Sequence, residues 1–415
     1  MPAISVVIPV YNAAPFLREA LDSLLAQTCG DFEAIAVNDG STDNSLEILQ
    51  EYAARDSRIR ILDGPNGGYG KAMNRGMDAS TGKYLAILEP DDYLPREAYA
   101  ILLPLAEEHQ LDVVRGSHYA FFGEPGQREF WYRVPAYRTG EVFCPLDDVP
   151  GVFRCGPGIW CNLYNLEFLR AHQIRFHESP GASYQDAGFF FLCTVHARRY
   201  MLIPDAVYVY RLDNPSSSVK VADNKRMALF AEYEYIYSEL NRNGEVWKRS
   251  KSAFYWCFMN IQGWFYQQLR EASQADYLET LTRYVKRYMA DDGVLQETRE
   301  LMETVAEGRW QDRLMAENNQ ATIENPLEKS ISFMGVKWYS KKMCPQYTKF
   351  YLLGILVCHR ERMRRWQRLP SGVSVANGLM NQYFLCGIPI FRKWYVRCGA
   401  PMSGGLVPAR VSQTL

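Results

Sequence analysis

The densest chemistry in the chain is the stretch Glu89-Pro90-Asp91-Asp92, which ends an apolar run from Tyr84 to Leu88. Three carboxylates in four positions repel one another, and a hard divalent cation with oxygen ligands is a natural way to hold them together. The apolar run is long enough for one buried strand. Pro90 cannot donate to a central ladder, so the strand stops there and delivers the acids to its C-terminal end. That edge is where open α/β sheets bind their ligands. An acidic turn capping a helix that starts near Pro95 would use the same residues. On this stretch alone both readings stand.

The elements that must position these acids precede them. Ser5 to Tyr11 is a continuous apolar run of the kind found in buried parallel sheets. A helical stripe follows, formed by Phe16, Leu17, Ala20, Leu21, Leu24 and Leu25. Phe32 to Val37 predicts a second strand and Arg58 to Leu62 a third. Between them lies a helix carrying Leu46, Ile48, Leu49 and Tyr52, capped by Thr42 or Asp43. Asn66-Gly67-Gly68-Tyr69-Gly70 turns into another helix over Ala72 to Met77, ahead of the strand Tyr84 to Leu88. Strands alternating with helices through short connections predict a parallel, doubly wound sheet with right-handed crossovers. The loops at Tyr11-Asn12, Asn38-Asp39, Gly67-Gly68 and Glu89 to Asp92 then converge on one edge, where nucleotides commonly bind. The glycine turn lacks the dinucleotide spacing and follows the third strand, which excludes a dehydrogenase fingerprint.

Taken as a set, Ser5-Val6-Val7-Ile8-Pro9-Val10-Tyr11-Asn12, Val37-Asn38-Asp39-Gly40-Ser41-Thr42-Asp43, the glycine turn with Ala72 to Gly82, and the acidic strand end resemble family 2 glycosyltransferases in order and spacing, up to about Lys220. Any one of these motifs alone is weak; together they are specific. The resemblance implies a GT-A fold and transfer from a nucleotide-diphosphate sugar with inversion at the anomeric carbon. It implies donor contacts from Pro9, Tyr11, Asn12, Asp39, Gly68, Lys71, Asn74 and Glu89, and a Mn²⁺ or Mg²⁺ ion held at Asp91 and Asp92. Two departures stand out: Glu89 replaces the usual first Asp of the acidic motif, and Met73 stands where many members carry Arg. The Glu-Pro-Asp-Asp form looks like a known subset of the family.

Further motifs continue the resemblance. Ser183-Tyr184-Gln185-Asp186-Ala187-Gly188-Phe189 matches a Glu-Asp-x-x-Phe segment with Gln185 in place of Glu, which implies that Asp186 is the general base. A sugar hydroxyl is a poor nucleophile and needs such a group opposite the leaving diphosphate. Asp186 can equally cap the helix of Phe189 to Val195. Trp160, in Gly156 to Tyr164, and Gln185 are acceptor-side candidates, although a Trp is more often core. Arg211, in the segment Tyr208 to Ser218, suits a diphosphate, with a surface salt bridge as the plainer alternative. Tyr119 to Tyr137 reads as an acceptor-side loop or a crossover packed on the sheet.

The remainder of the 415 residues has an ordinary globular composition, 47% apolar and 22% charged. Asn224 to about Glu317 has a helical pattern with Phe254, Phe258, Ile261, Trp264 and Phe265 at helix spacing, and Asn318 to Pro326 reads as a linker. The net charge of −1 hides an asymmetry, because Lys329 to Arg397 holds thirteen basic residues against one acid, Glu361. Within it, Phe350 to Leu356 nearly repeats as Tyr383 to Ile390. Such a segment suits an anionic membrane surface in preference to nucleic acid, with packing or self-association as the plainer alternative. The ten cysteines show no metal spacing and read as free thiols of a reducing compartment. No signal peptide or bilayer-length run is evident.

The expected architecture is therefore a GT-A domain over 1–220, a helical domain over 221–325 and a basic C-terminal region over 326–415. The expected activity is transfer from a nucleotide sugar, UDP-sugar favoured, to a glycan or glycolipid hydroxyl in bacterial surface polysaccharide synthesis. The setting expected is the cytoplasmic face of the inner membrane, with a homo-oligomer allowed. The alternatives are a non-catalytic binding or scaffold subunit and a polyprenyl-phosphate glycosyltransferase.

Overall fold

In a computed structural model, the described residues are 1–121, 128–131, 138–149, 151–182, 184–214, 223–267, 269, 271–311 and the C-terminal strands between 328 and 408. The chain divides into two compact units, Met1–Ala306 and Glu307–Leu415.

The first unit begins with the anticipated alternation. It runs β1 (Ile4–Val10), α1 (Ala14–Leu25), β2 (Phe32–Asp39), α2 (Ser45–Arg55), β3 (Ile59–Gly64), α3 (Tyr69–Ala79) and β4 (Tyr84–Ile87). These strands are parallel in the order β3-β2-β1-β4, with Val7 opposite both Ile35 and Ile87. Strand β1 is buried along its whole length, which is why it reads as an unbroken apolar run. Helix α1 turns Leu17, Ala20, Leu21 and Leu24 into the same core. Asp43 caps differently from the expectation: one carboxylate oxygen accepts the Ser45 amide at the start of α2, and the other accepts the Ala14 amide at the start of α1.

After α4 (Ala98–Glu108) come β5 (Val113–Phe121), β6 (Arg128–Trp131), β7 (Val142–Phe143), β8 (Asn162–Asn165), α5 (Leu166–Ala171), α6 (Gln185–His196) and β9 (Tyr200–Arg211). The short β8 enters between β4 and β5, antiparallel to both, and β9 lies parallel to β5. The mostly parallel sheet with helices on it matches the anticipated fold class. The helices α7 (Asp223–Asn241), α8 (Gly244–Gln267), α9 (Glu271–Tyr288) and α10 (Gln296–Ala306) fall in the same compact unit as the sheet, with α7 and α8 packed on α6. Phe254, Phe258 and Phe265 of α8 are buried there, as their spacing suggests.

In the second unit the strands pair in chain order as an antiparallel meander. The near-repeat falls on two equivalent positions, where Leu352 pairs with Ile355 and Leu385 with Ile388. The linker over 318–326, residues 122–127 and 132–137 of the acceptor-side loop, Ser216 to Ser218, and the side chains of Trp264 and of the basic segment lie outside the described residues.

Candidate active site

The strand-end acids are fixed by β9. Leu88 donates its amide to Val7 O at 3.0 Å, the last step of β4 pairing before Pro90. The Glu89 amide then donates to the Tyr208 hydroxyl at 3.0 Å, and Tyr93 exchanges backbone hydrogen bonds with Val209. Tyr208 and Val209 both belong to β9, so the acidic turn is clamped between two strands of the sheet.

Each acid has its own surroundings. Glu89 accepts the Tyr69 hydroxyl at 2.6 Å. Burial pushes its carboxyl up to about 8 against that hydrogen bond, and the charges of Asp91 and Asp186 raise it further. Asp91 accepts Asn214 Nδ2 at 2.7 Å on one oxygen. Asp92 is buried; one oxygen accepts the Arg211 amide at 2.7 Å and the other has no hydrogen-bond partner. Burial, then the charge of Asp91, holds the Asp92 carboxyl well above the usual range.

Asp186 arrives from the first turn of α6, where Tyr184 takes a left-handed conformation (φ 67°) ahead of the helix. Burial pushes its carboxyl up to about 6, opposed by the Ala187 amide and assisted by the charge of Glu232 on α7. It also raises Glu89, Tyr69 and Tyr210 through its charge. The acidic turn and the acid of α6, distant in sequence, therefore share one electrostatic neighbourhood.

The glycine turn forms the adjoining wall. Asp39 accepts the amides of Gly67 and Gly68 at 2.8 and 2.9 Å, one on each oxygen. Gly68 has φ 90°, a conformation side chains rarely adopt, and a Cβ there would crowd the 179–181 backbone. The Tyr69 amide donates to Gly181 O at 3.0 Å. Gly70 is tighter still, because a Cβ would sit 1.9 Å from His177 O. Overpacking against backbone costs about 1–3 kcal/mol. Gly70→Ala is therefore expected to lower the unfolding free energy by that amount in urea denaturation; an unchanged midpoint would show that the 177 segment does not press on α3.

The other anticipated donor residues divide. Pro9 is buried in β1 opposite Val37, whereas Tyr11 is 53% exposed beyond the strand end. Asn12 has φ 50° and accepts the Thr42 amide at 2.7 Å, bracing the loop after β2. Lys71 is exposed, its stem lying over Gly67.

Three residues are assigned differently from the expectation. Asn74 is buried and spends both N–H groups on Phe176 O and Glu178 Oε1 and its carbonyl on the Phe176 amide, so it anchors the 176–178 segment and has no donor left for a nucleotide. Gln185 is buried, and its amide donates to Ser179 Oγ at 2.8 Å and Gly181 O at 3.2 Å, so it orders the 179–181 loop behind the glycine turn. The Arg211 guanidinium lies between the rings of Phe16 and Phe121, bonded to Glu19, Asp213 and the carbonyl of Asp91. It is a buried brace for the acidic turn, with each of its three nitrogens donating to a protein oxygen.

Trp160 stacks on Tyr208 (4.4 Å, 24°) and Tyr210 (5.3 Å, 4°) and meets His118 edge-on at 4.7 Å. This places it beside the acids within an aromatic wall rather than as an isolated platform. Tyr69 and Tyr208, which hold Glu89, were not singled out from sequence. Tyr69 lies within the glycine turn and Tyr208 heads the Tyr208 to Ser218 segment, but a hydroxyl's partner elsewhere in the chain leaves no local signal.

The mostly parallel α/β sheet flanked by helices, with its acids at a strand end, is a GT-A fold. The solved structure of residues 1–349 of TarS from S. aureus in complex with UDP-GlcNAc has this fold, with a TM-score of 0.61 at 19% identity, covering 82% of this chain and 96% of that one. In sequence, residues 5–160 match the family model described as Glycosyl transferase family 2. The chain is 33% identical over 249 residues to the uncharacterized glycosyltransferase YibD of Escherichia coli strain K12, spanning 58% of this chain and 71% of that protein. It is 31% identical over 240 residues to the uncharacterized glycosyltransferase EpsJ of Bacillus subtilis strain 168, spanning 57% and 68%. The chain belongs to glycosyl transferase family 2.

Proposed function

We propose that this transferase moves a sugar from a UDP-sugar to a hydroxyl of a glycan or lipid-linked acceptor in bacterial surface polysaccharide synthesis, with inversion. What carries the reading is the charge coupling between Asp186, at the start of α6, and Glu89 of the acidic turn. A carboxyl pushed up to about 6 is ionised at neutral pH yet retains proton affinity, which suits a general base drawing the proton from the acceptor hydroxyl. The UDP-GlcNAc complex of TarS supports a uridine donor through likeness of fold. Tyr11, Asn12, Asp39, Gly68 and Lys71 border the donor side. Asn74, Gln185 and Arg211 act by holding neighbouring segments.

The donor set fits a divalent cation of the Mn²⁺ or Mg²⁺ kind in one specific sense. Among the described residues no three His, Cys, Asp or Glu side chains gather into a ready-made metal cage. Yet Asp91 is a carboxylate only partly engaged, and Asp92 keeps a buried oxygen without a partner. Asp91, with Asp92 beside it, would hold such an ion together with oxygens of the substrate, as is usual where phosphates supply ligands. When bound, the ion would stabilise charge developing on the departing diphosphate. Asp39 shapes the turn that approaches the donor, and Tyr69 and Tyr208 keep Glu89 in place.

Thirteen basic residues between Lys329 and Arg397 support a seat on an anionic inner-membrane surface. Among the described residues no helix is long and apolar enough to cross a membrane.

A thermal-shift series with UDP-, GDP- and dTDP-sugars, with and without Mn²⁺, tests the donor. At a hundredfold excess over Kd, binding to the folded state adds about 2.7 kcal/mol of stability. A Mn²⁺-dependent rise with UDP-sugars is expected; a rise confined to GDP- or dTDP-sugars would overturn the uridine assignment.

A further inference from the structure

On the α7 side of α6, a second carboxylate faces the same helix start. Glu232 of α7 is 1% exposed and holds His177 Nδ1 at 2.9 Å. Its other oxygen lies against Gly188; a Cβ there would be 1.9 Å from it. The His177 ring is stacked on Tyr235 at 4.5 Å and 4°, which fixes the plane presented to Glu232. The His177 carbonyl, in turn, presses on Gly70 of α3.

We propose that Glu232, held by His177, is a positioning residue through which α7 acts on the carboxylate of Asp186; this rests on the reading of Asp186 as general base. Two carboxylates then share one helix N-terminus, whose partial positive charge favours each of them singly. Ionising both at once costs Coulomb energy in a buried setting, so the negative charge of Glu232 makes Asp186 hold a proton more firmly. A base needs that firmness to accept a proton in the transition state. Glu89, Tyr69 and Tyr210 face Asp186 from the acidic turn, α3 and β9, and His177 faces Glu232 from the segment before α6. Of these groups, Glu232 and His177 are the pair joined by a hydrogen bond on the α7 side of α6. Gly188 suits this arrangement because any side chain would displace the Glu232 oxygen.

The test is a carbon-13 NMR titration of the full chain with aspartate carboxyls labelled, the Asp186 signal assigned by its loss in Asp186→Asn. In Glu232→Gln the Asp186 midpoint is expected to fall by about one pH unit, a tenfold change in proton affinity. Glu232→Asp, which keeps the charge, is expected to return it most of the way. A Glu232→Gln curve that coincides with the wild type overturns the proposal, and so does a shift that Glu232→Asp fails to reverse, because altered burial alone would also move the Asp186 titration. If Glu232→Gln does not fold, His177→Gln carries the same test: a displaced Asp186 curve supports coupling through the pair and a coincident one refutes it. The base assignment fails by a different result, namely sugar transfer surviving in Asp186→Asn.

Discussion

Asp186→Asn is expected to lower the rate of sugar transfer by about 10²–10⁴-fold, the contribution of a positioned general base, while leaving the affinity for the nucleotide sugar within about twofold of wild type. The amide keeps the size of the side chain and can still accept the Ala187 amide, so the start of α6 is preserved. What disappears is the capacity to take a proton. The wild-type pH profile supplies an independent check. Because burial pushes the Asp186 carboxyl up to about 6, the base is protonated and silent below that pH and ionised above it. The kcat/KM profile should therefore rise through an acid limb near 6, well above the ordinary aspartate range. Single-turnover rates and donor binding measured together decide the matter. A variant that transfers at the wild-type rate would remove Asp186 from the reaction, and equal losses of donor affinity and rate would make it a structural cap instead.

The first half of the fold was legible because buried parallel strands advertise themselves. The run Ser5 to Val10 is apolar on both faces since both faces are covered, and the loops after β1, β2 and β4 follow from that topology. β8 was not legible. Four residues, Asn162–Asn165, pair antiparallel with strands that are far apart in the chain, and nothing in their local pattern announces the partner. The site shows the same divide. Carboxylates at a strand end are a local pattern, so Glu89, Asp91 and Asp92 could be found. Whether Arg211, Asn74 and Gln185 meet a ligand or the protein itself depends on distant partners. Arg211 bonds to Glu19, 192 positions away, and Asn74 to Phe176, 102 positions away. Glu232 sits in a helix whose spacing spoke only of packing, and its relation to Asp186 exists only once α6 and α7 are in contact.

Glu89→Gln is expected to stabilise the protein at alkaline pH while impairing transfer. In the folded chain the Glu89 carboxyl is raised from 4.5 to about 8, chiefly by burial, so the folded state prefers the protonated form. Below about pH 4.5 both folded and unfolded chains carry the proton, and this group costs nothing. As pH rises from there, the unfolded chain ionises freely while the folded chain resists. Stability is therefore lost progressively until about pH 8, where Glu89 ionises in the folded state too. The substituted amide would keep an oxygen to accept the Tyr69 hydroxyl and would not titrate. The variant should thus match wild type at about pH 4.5 and exceed it by about 2 kcal/mol at about pH 8.5, less than half of what about 1.36 kcal/mol per unit allows over that span. Urea denaturation at the two pH values measures the difference. Added Mn²⁺ should narrow it, because a cation beside Asp91 relieves the same repulsion. A gap that does not grow with pH would mean that Glu89 is ionised as readily in the fold as in the unfolded chain. In that case the acidic turn stores none of the electrostatic strain that a cation would otherwise relieve.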